Sequence, residues 1–228
     1  MCDRGGPHHG GDELNVRRVT VDPDAPQHDA IEEAAKWIRA GEIVALPTDT
    51  LYGLAVDAFN ADAVARLFAA KGRPEDRGIP LVAADRAQIE EHVAPLSGSG
   101  ARLAERFWPG PLTLLLPAPR ALAAAVSAGT GKVGVRVPAD RCARAICAAV
   151  GRPITATSAN ISGEPATADP SEVERTLGDR IMFLFDAGPV RGGAPSTIVD
   201  VTTAEPTLVR AGAVSLDEIH ACLHELKA

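Results

Sequence analysis

Long apolar runs are missing from this sequence. The longest, around Leu112–Leu116 and Ala121–Val126, fall far short of the ~20 residues needed to span a bilayer, which excludes a transmembrane reading. Met1 to Glu13 is rich in Gly, His and Asp with no apolar stretch, so it reads as neither signal peptide nor anchor; residues 1–15 are expected to be a mobile tail. Cysteine is scarce. Cys2, Cys142, Cys147 and Cys222 show no CxxC or CxxxC spacing, which argues against a zinc or disulfide framework and for reduced thiols in a cytoplasmic protein.

Positive charge is also in short supply. With 23 Lys+Arg against 30 Asp+Glu the formal net charge is -7, which argues against an unassisted grip on nucleic acid or anionic membrane. Any basic surface must be local. There is no nucleophile elbow, HExxH motif or paired-carboxylate spacing, so the usual hydrolase chemistries find no support.

What is present suits a globular domain. The chain has 228 residues, 46% hydrophobic and 23% charged, enough for a sizeable core in one domain. Ile31, Ala34, Ala35 and Ile38 recur at helical spacing before Gly41, and Ile43–Leu46 reads as a strand halted by Pro47. Asn60 or Asp62 caps a helix that runs into Lys71-Gly72-Arg73-Pro74. Strands are expected over Ile79–Ala83, Leu112–Leu116, Lys132–Val137, Ile154–Thr157, Ile181–Phe185, Thr197–Val201 and Thr207–Arg210. Helices fall within 85–93, 99–107, 140–150, 171–177 and from Ser215 to about Leu226. Helices alternate with strands, yet several neighbouring strands lack a crossover helix. The fold class is therefore α/β: one domain with a twisted mixed sheet and flanking helices.

Two motifs are decoys. Gly129-Thr130-Gly131-Lys132-Val133-Gly134 matches GxGxxG but lies after a helical pattern and before a strand, the reverse of the dinucleotide-binding order. As a P-loop it fails because Val133 replaces the Ser/Thr and Val126 the first glycine. His220 and His224 are one helical turn apart, but Glu218, Glu225 and Lys227 beside them favour a solvated face over a metal clamp.

The remaining chemistry sits on polar groups at strand and helix ends: Thr48, Thr50, Lys71, Arg73, Arg77, Arg136, Ser158, Asn160, Ser196 and Arg210. A compact ammonium beside a planar guanidinium suits neighbouring phosphate oxygens, and the hydroxyl and amide groups add neutral hydrogen bonds. The set points to a polyanion. Each residue taken singly also reads as an ordinary solvated loop position.

Seven stretches then occur in a known order: 47–54 (PTDTLYGL), 71–74 (KGRP), 107–113 (FWPGPLT), 135–138 (VRVP), 158–163 (SANISG), 196–200 (STIVD) and 208–212 (LVRAG). On these the chain resembles the YrdC-like threonylcarbamoyl-AMP synthases over roughly Ala30 to Gly212. The resemblance implies a catalytic domain over 16–228 of the short form, without an extra C-terminal domain, built around a concave cationic cavity. It implies that L-threonine, bicarbonate and ATP give threonylcarbamoyl-AMP and pyrophosphate, for N6-threonylcarbamoyladenosine formation in tRNA by a separate downstream transferase. Mg2+ is expected with ATP, no protein metal site, and no tight tRNA binding by this chain.

By the same resemblance Lys71 and Arg73 are catalytic as a triphosphate clamp. Arg77, Lys132, Asn160 and Arg210 join them on ATP. Thr50, Arg136, Ser158 and Ser196 fall on the threonine side, while Thr48 and Tyr52 read as pocket wall. Two departures stand out: Val82-Ala83-Ala84 where family members often place a histidine, and Lys132 where Thr or Ser is common. Lys132 either meets phosphate or points to solvent. The competing readings are a carbamoyl-adenylate-handling YrdC-like enzyme and a non-catalytic RNA-binding module.

Overall fold

The computed structural model describes residues 16–74 and 76–224. The expected N-terminal tail and the end of the last helix lie outside these residues. In chain order the elements are β1 (Arg17–Thr20), α1 (His28–Arg39), β2 (Val44–Leu46), β3 (Gly53–Ala55), α2 (Ala61–Lys71), β4 (Leu81–Val82), α3 (Arg86–His92) and α4 (Gly98–Phe107). There follow β5 (Leu112–Pro117), α5 (Ala124–Ser127), β6 (Lys132–Arg136), α6 (Arg141–Val150), β7 (Ile154–Thr155), β8 (Thr157–Ser158), α7 (Pro170–Leu177), β9 (Phe183–Asp186), β10 (Thr197–Asp200), β11 (Thr207–Arg210) and α8 (Leu216–His224).

Helix ends follow local chemistry. Asn60 accepts a hydrogen bond from the Ala63 N–H at 3.1 Å, and Asp85 and Asp140 do the same for Gln88 and Ala143 at 2.8 Å. Each such cap is worth about 1 kcal/mol. The left-handed residues Gly72, at φ 56, and Gly151, at φ 84, stop α2 and α6, a conformation that glycine adopts without penalty.

The fold is a single α/β domain with mixed strand pairing, as expected, but its strands divide into two sheets rather than one. Their orders are β1-β9-β2-β3-β8 and β11-β10-β5-β6-β4-β7. The division has a local cause: residues 154–158 bend at Ala156. The first half, β7, pairs antiparallel with β4, and the second half, β8, pairs antiparallel with β3. The Ala156 N–H donates to Pro80 O at 2.8 Å and the Thr155 N–H to Val56 O at 3.0 Å. One segment therefore ties both sheets together.

Side chains alternate along a strand, and here that alternation separates core from site. Leu112 and Leu114 of β5, Val133 and Val135 of β6, and Val199 of β10 are buried in the larger core with Leu67, Leu103 and Leu184. A second core packs α1 and α6 on the other sheet through Ala34, Ile38, Ile146, Phe183 and Phe185. Two strands went unread in the sequence: β1, which pairs parallel with β9, and β3, which pairs antiparallel with β2. No helix among the described residues is long and apolar enough to cross a membrane.

Candidate active site

The residues left on the opposite face of the second sheet line a cavity of about 710 Å³. Its floor is Thr113 and Leu115 of β5, Lys132, Gly134 and Arg136 of β6, Ser196 and Ile198 at β10, and Arg210 of β11. Strand register sets these side by side: Ile198 lies opposite both Thr113 and Arg210, and Leu115 opposite Gly134. Gly134 keeps the floor open, since a Cβ there would lie 3.0 Å from Thr113 Cγ2. Thr48, Thr50 and Leu51 from the loop before β3, Arg73 and Asp76 after α2, and Thr157 and Ser158 of β8 complete the wall.

A recess of about 150 Å³ adjoins this bowl and shares Arg73 and Ser158 with it, adding Lys71, Arg77 and Asn160. All ten residues assigned to ATP or threonine from the sequence therefore line one of two contiguous cavities. The bowl carries Arg73, Lys132, Arg136 and Arg210 against the one carboxylate of Asp76 among its lining residues. A chain of net charge -7 thus concentrates cations where an anion would enter, and cleft walls of low dielectric focus that field.

The bond pattern differs from residue to residue. Lys71 ends α2 and is only 2% exposed. Its ammonium donates to Ser158 O, to Asn160 O at 2.7 Å and to Asn160 Oδ1 at 3.3 Å. Burial, with the nearby Arg73 charge, lowers its pKa to about 8. Asn160 spends its amide in the same loop: Oδ1 accepts from Ser158 Oγ, and Nδ2 donates to Ile161 O and Glu164 O. Lys71 and Asn160 therefore brace the loop as well as facing the recess.

Arg73 donates from Nη2 to the carbonyls of Arg77 and Gly78 at 3.2 and 3.0 Å. Its Nε is buried without a partner, and burial beside Arg77 lowers its pKa. Its Nη1 donates to Thr157 Oγ1 at 3.4 Å, and the half-buried guanidinium lines both the bowl and the recess, where a charged acceptor would suit it. Arg210 is held by Ser196, whose carbonyl accepts from Nη2 at 2.7 Å and whose Oγ accepts at 3.1 Å; Ser196 Oγ also shares a hydrogen bond with Thr113 Oγ1 at 2.9 Å. The turn after β11 needs Gly212, because a Cβ there would lie 2.3 Å from Pro195 O.

Lys132 lines the bowl, where it pairs with Asp200, Nζ to Oδ2 at 2.6 Å. Tyr52 is a correction. It is fully buried rather than pocket wall, and its hydroxyl donates to Gly188 O at 2.8 Å and accepts from the Ala187 N–H at 3.1 Å. Sequence reasoning missed Thr113, Thr157 and the 126–130 turn, which reaches the bowl even though it fails as a dinucleotide motif. For Thr113 the signal was available, since it alternates with Leu112 and Leu114.

Among known proteins, residues 36–212 match the Sua5/YciO/YrdC family model, described as "Telomere recombination". The chain belongs to this family. It is 39% identical over 197 residues to threonylcarbamoyl-AMP synthase of Pyrococcus abyssi, covering 86% of this chain and 58% of that protein. Against the Bacillus subtilis protein of the same name the figures are 40% over 194 residues, 85% and 56%. The chain thus spans somewhat over half of these two relatives. The Halorhodospira halophila threonylcarbamoyl-AMP synthase is 43% identical over 154 residues, and 81% of its length is covered by 68% of this chain. Among solved structures, P. abyssi Sua5 complexed with L-threonine superposes with a TM-score of 0.85 at 38% identity, covering 91% of this chain and 61% of that one. E. coli YciO, at 24% identity and TM-score 0.80 over 90% of this chain and 99% of its own, has the same fold.

Proposed function

We propose that this Sua5/YciO/YrdC family member is an L-threonylcarbamoyladenylate synthase that converts L-threonine, bicarbonate and ATP to threonylcarbamoyl-AMP and pyrophosphate. The observation that carries the reading is the convergence of Arg73, Arg136, Ser158, Ser196 and Arg210 on one cavity. The relatives' names and the threonine complex of the P. abyssi protein support it.

The threonine amine attacks the bicarbonate carbon, a C–O bond of bicarbonate breaks and water leaves, giving a carbamate. A carbamate oxygen attacks the α-phosphorus of ATP, the bond from that phosphorus to the bridging oxygen breaks, and pyrophosphate leaves. The protein's work is to hold two anions together and offset charge on the departing phosphates. Arg73 is the direct clamp, with Arg77 and Lys71 adding positive charge at the recess. Arg210 and Asn160 complete the nucleotide side, and Lys132 exchanges Asp200 for a phosphate oxygen. Arg136 receives the threonine carboxylate, and Thr50, Ser158 and Ser196 read its remaining polar atoms.

Magnesium arrives with ATP. The bowl is lined mainly by cations and hydroxyls, with one carboxylate at Asp76, so Mg2+ entering with the nucleotide would be held chiefly by phosphate oxygens and water and would offset phosphate charge. The product passes to a separate transferase that modifies tRNA. A net charge of -7 fits an enzyme that need not grip tRNA itself. ATP dependence, together with buried Cys142 and Cys147 in no disulfide, favours the cytoplasm.

The test is pyrophosphate release from ATP, expected to require both threonine and bicarbonate, with isotopic bicarbonate carbon appearing in the product by mass spectrometry. Release that continues without threonine would defeat the proposal. Dependence on carbamoyl phosphate in its place would assign the site to a carbamoyl-adenylate enzyme.

A further inference from the structure

Asp49 sits inside the 47–54 motif but behind the bowl wall rather than on it. Its Oδ2 accepts from Arg136 Nη1 at 3.3 Å and its Oδ1 accepts from the Asp140 N–H at 2.5 Å. The two side chains are 14% and 10% exposed. Among the described residues the Arg136 guanidinium makes no other side-chain hydrogen bond, so Asp49 is its tether. The tether is anchored at both ends, since Asp140 caps α6 through Ala143 and Arg136 ends β6.

We propose that Asp49 is a positioning residue that holds the Arg136 guanidinium toward the substrate carboxylate; this rests on the reading of the bowl as a threonine site. Arg136 has a long, flexible side chain, and the Arg210 charge acts on it within the same bowl. An untethered guanidinium turns away from a like charge, and ligand binding must then order it. Asp49 removes that cost in advance by giving one nitrogen a fixed acceptor and leaving the rest of the fork for the ligand.

Asparagine is an informative replacement. Asp49 offers two acceptor oxygens to two donors, whereas Asn offers one oxygen and an NH2 group. If the Asp140 N–H keeps the oxygen, the NH2 faces Arg136, donor against donor. The D49N side chain preserves volume and still breaks the tether.

Threonine and ATP affinities are measured by calorimetry on the full chain for wild type, D49N, R136Q and the double variant. D49N is expected to raise the threonine Kd about 10–100-fold, by analogy with the partners that orient metal-ligating side chains, while the ATP Kd stays within about twofold. In the R136Q background, adding D49N costs threonine nothing further, because the two act as one unit. Unchanged threonine affinity in D49N, equal weakening of both ligands, or additive losses in the double variant would each overturn the assignment. Wild type that binds no threonine would instead remove the site reading beneath it. Should D49N not fold, D49E is read by the same split: it keeps the charge but displaces it by one methylene, so threonine alone weakens if Asp49 positions Arg136, and unchanged affinity overturns the proposal.

Discussion

The Lys71 ammonium donates to the Asn160 carbonyl at 2.7 Å, joining the last residue of α2 to the loop after β8 across 89 positions of sequence. Ser158 O takes a second proton of the same group. The end of β8 and the loop after it are thus tied by one buried cation to the end of α2, so the 158–163 loop comes to the recess already shaped. Positioning and charge are inseparable in this residue.

Lys71→Met should therefore lower stability as well as activity. Methionine fills the stem's volume but leaves the Ser158 and Asn160 carbonyls without their donor, a loss of about 3 kcal/mol. Urea unfolding measures it through a shift in midpoint. Lys71→Arg is expected to rescue little, because three acceptors converge on one nitrogen and a planar fork cannot meet them all. A midpoint unchanged by Lys71→Met would show that the loop is held by other contacts.

Arg73 separates from Lys71 in what it should cost. It is half-buried and gives its Nη2 protons only to loop carbonyls, so Arg73→Ala is expected to be mild on folding and severe on turnover. Loss of a preorganised group facing developing phosphate charge costs on the order of 10²–10³ in kcat. Steady-state pyrophosphate release checks this, and near-normal kcat would return Arg73 to an ordinary loop role. Arg73→Lys should recover only part, since an ammonium cannot replace the fork.

How much of this was legible before the fold follows from the range of each interaction. The caps Asn60 and Asp140 and the stop at Gly151 depend on neighbours within four residues; the sequence narrows the first to Asn60 or Asp62 and ends the α6 helix at Gly151, but it reads Asp140 only as the start of that helix. The floor of the bowl was half legible: alternation through Lys132, Gly134 and Arg136 places them on one face, but not what that face looks toward. β1 carries the pattern of exposed ends and half-buried centre, with no alternation to read, and it exists because β9 offers a parallel edge 166 residues on. The Asp49 carboxylate meets the Asp140 N–H across 91 positions, a contact that no local pattern encodes.

Amino-acid selectivity should follow from the hydroxyl-lined wall. A site that hydrogen-bonds the threonine hydroxyl leaves its own buried polar groups unpaired when valine enters, so valine is rejected by ~10⁴ in kcat/KM, whereas serine, short of one methyl, loses only ~10–200-fold. Competing amino-acid substrates in the pyrophosphate assay provide the ratio. Valine turning over comparably with threonine would contradict hydroxyl recognition.

The cap of α6 supplies a pH test. Burial, reinforced by the neighbouring Asp49 charge, raises the Asp140 pKa from the ordinary 3.8 to about 6. Between pH 4 and 6 the folded protein therefore keeps a proton that the unfolded chain has released. Stability rises with pH only where the unfolded state binds more protons, so this group contributes the opposite slope: its effect on stability declines as pH climbs from 4 to 6 and is level above. Asp140→Asn retains a side-chain oxygen for the Ala143 N–H, and Asn caps helices as well as Asp, but it carries no titrating proton. Relative to wild type, the variant should gain stability progressively across that window and hold the gain at pH 7, measured by urea midpoints at pH 4, 5, 6 and 7. A difference between the two proteins that stays constant over the series would mean that Asp140 ionises in the folded state as readily as in the unfolded chain, and that Arg136 and the α6 N-terminus already offset the cost of its burial.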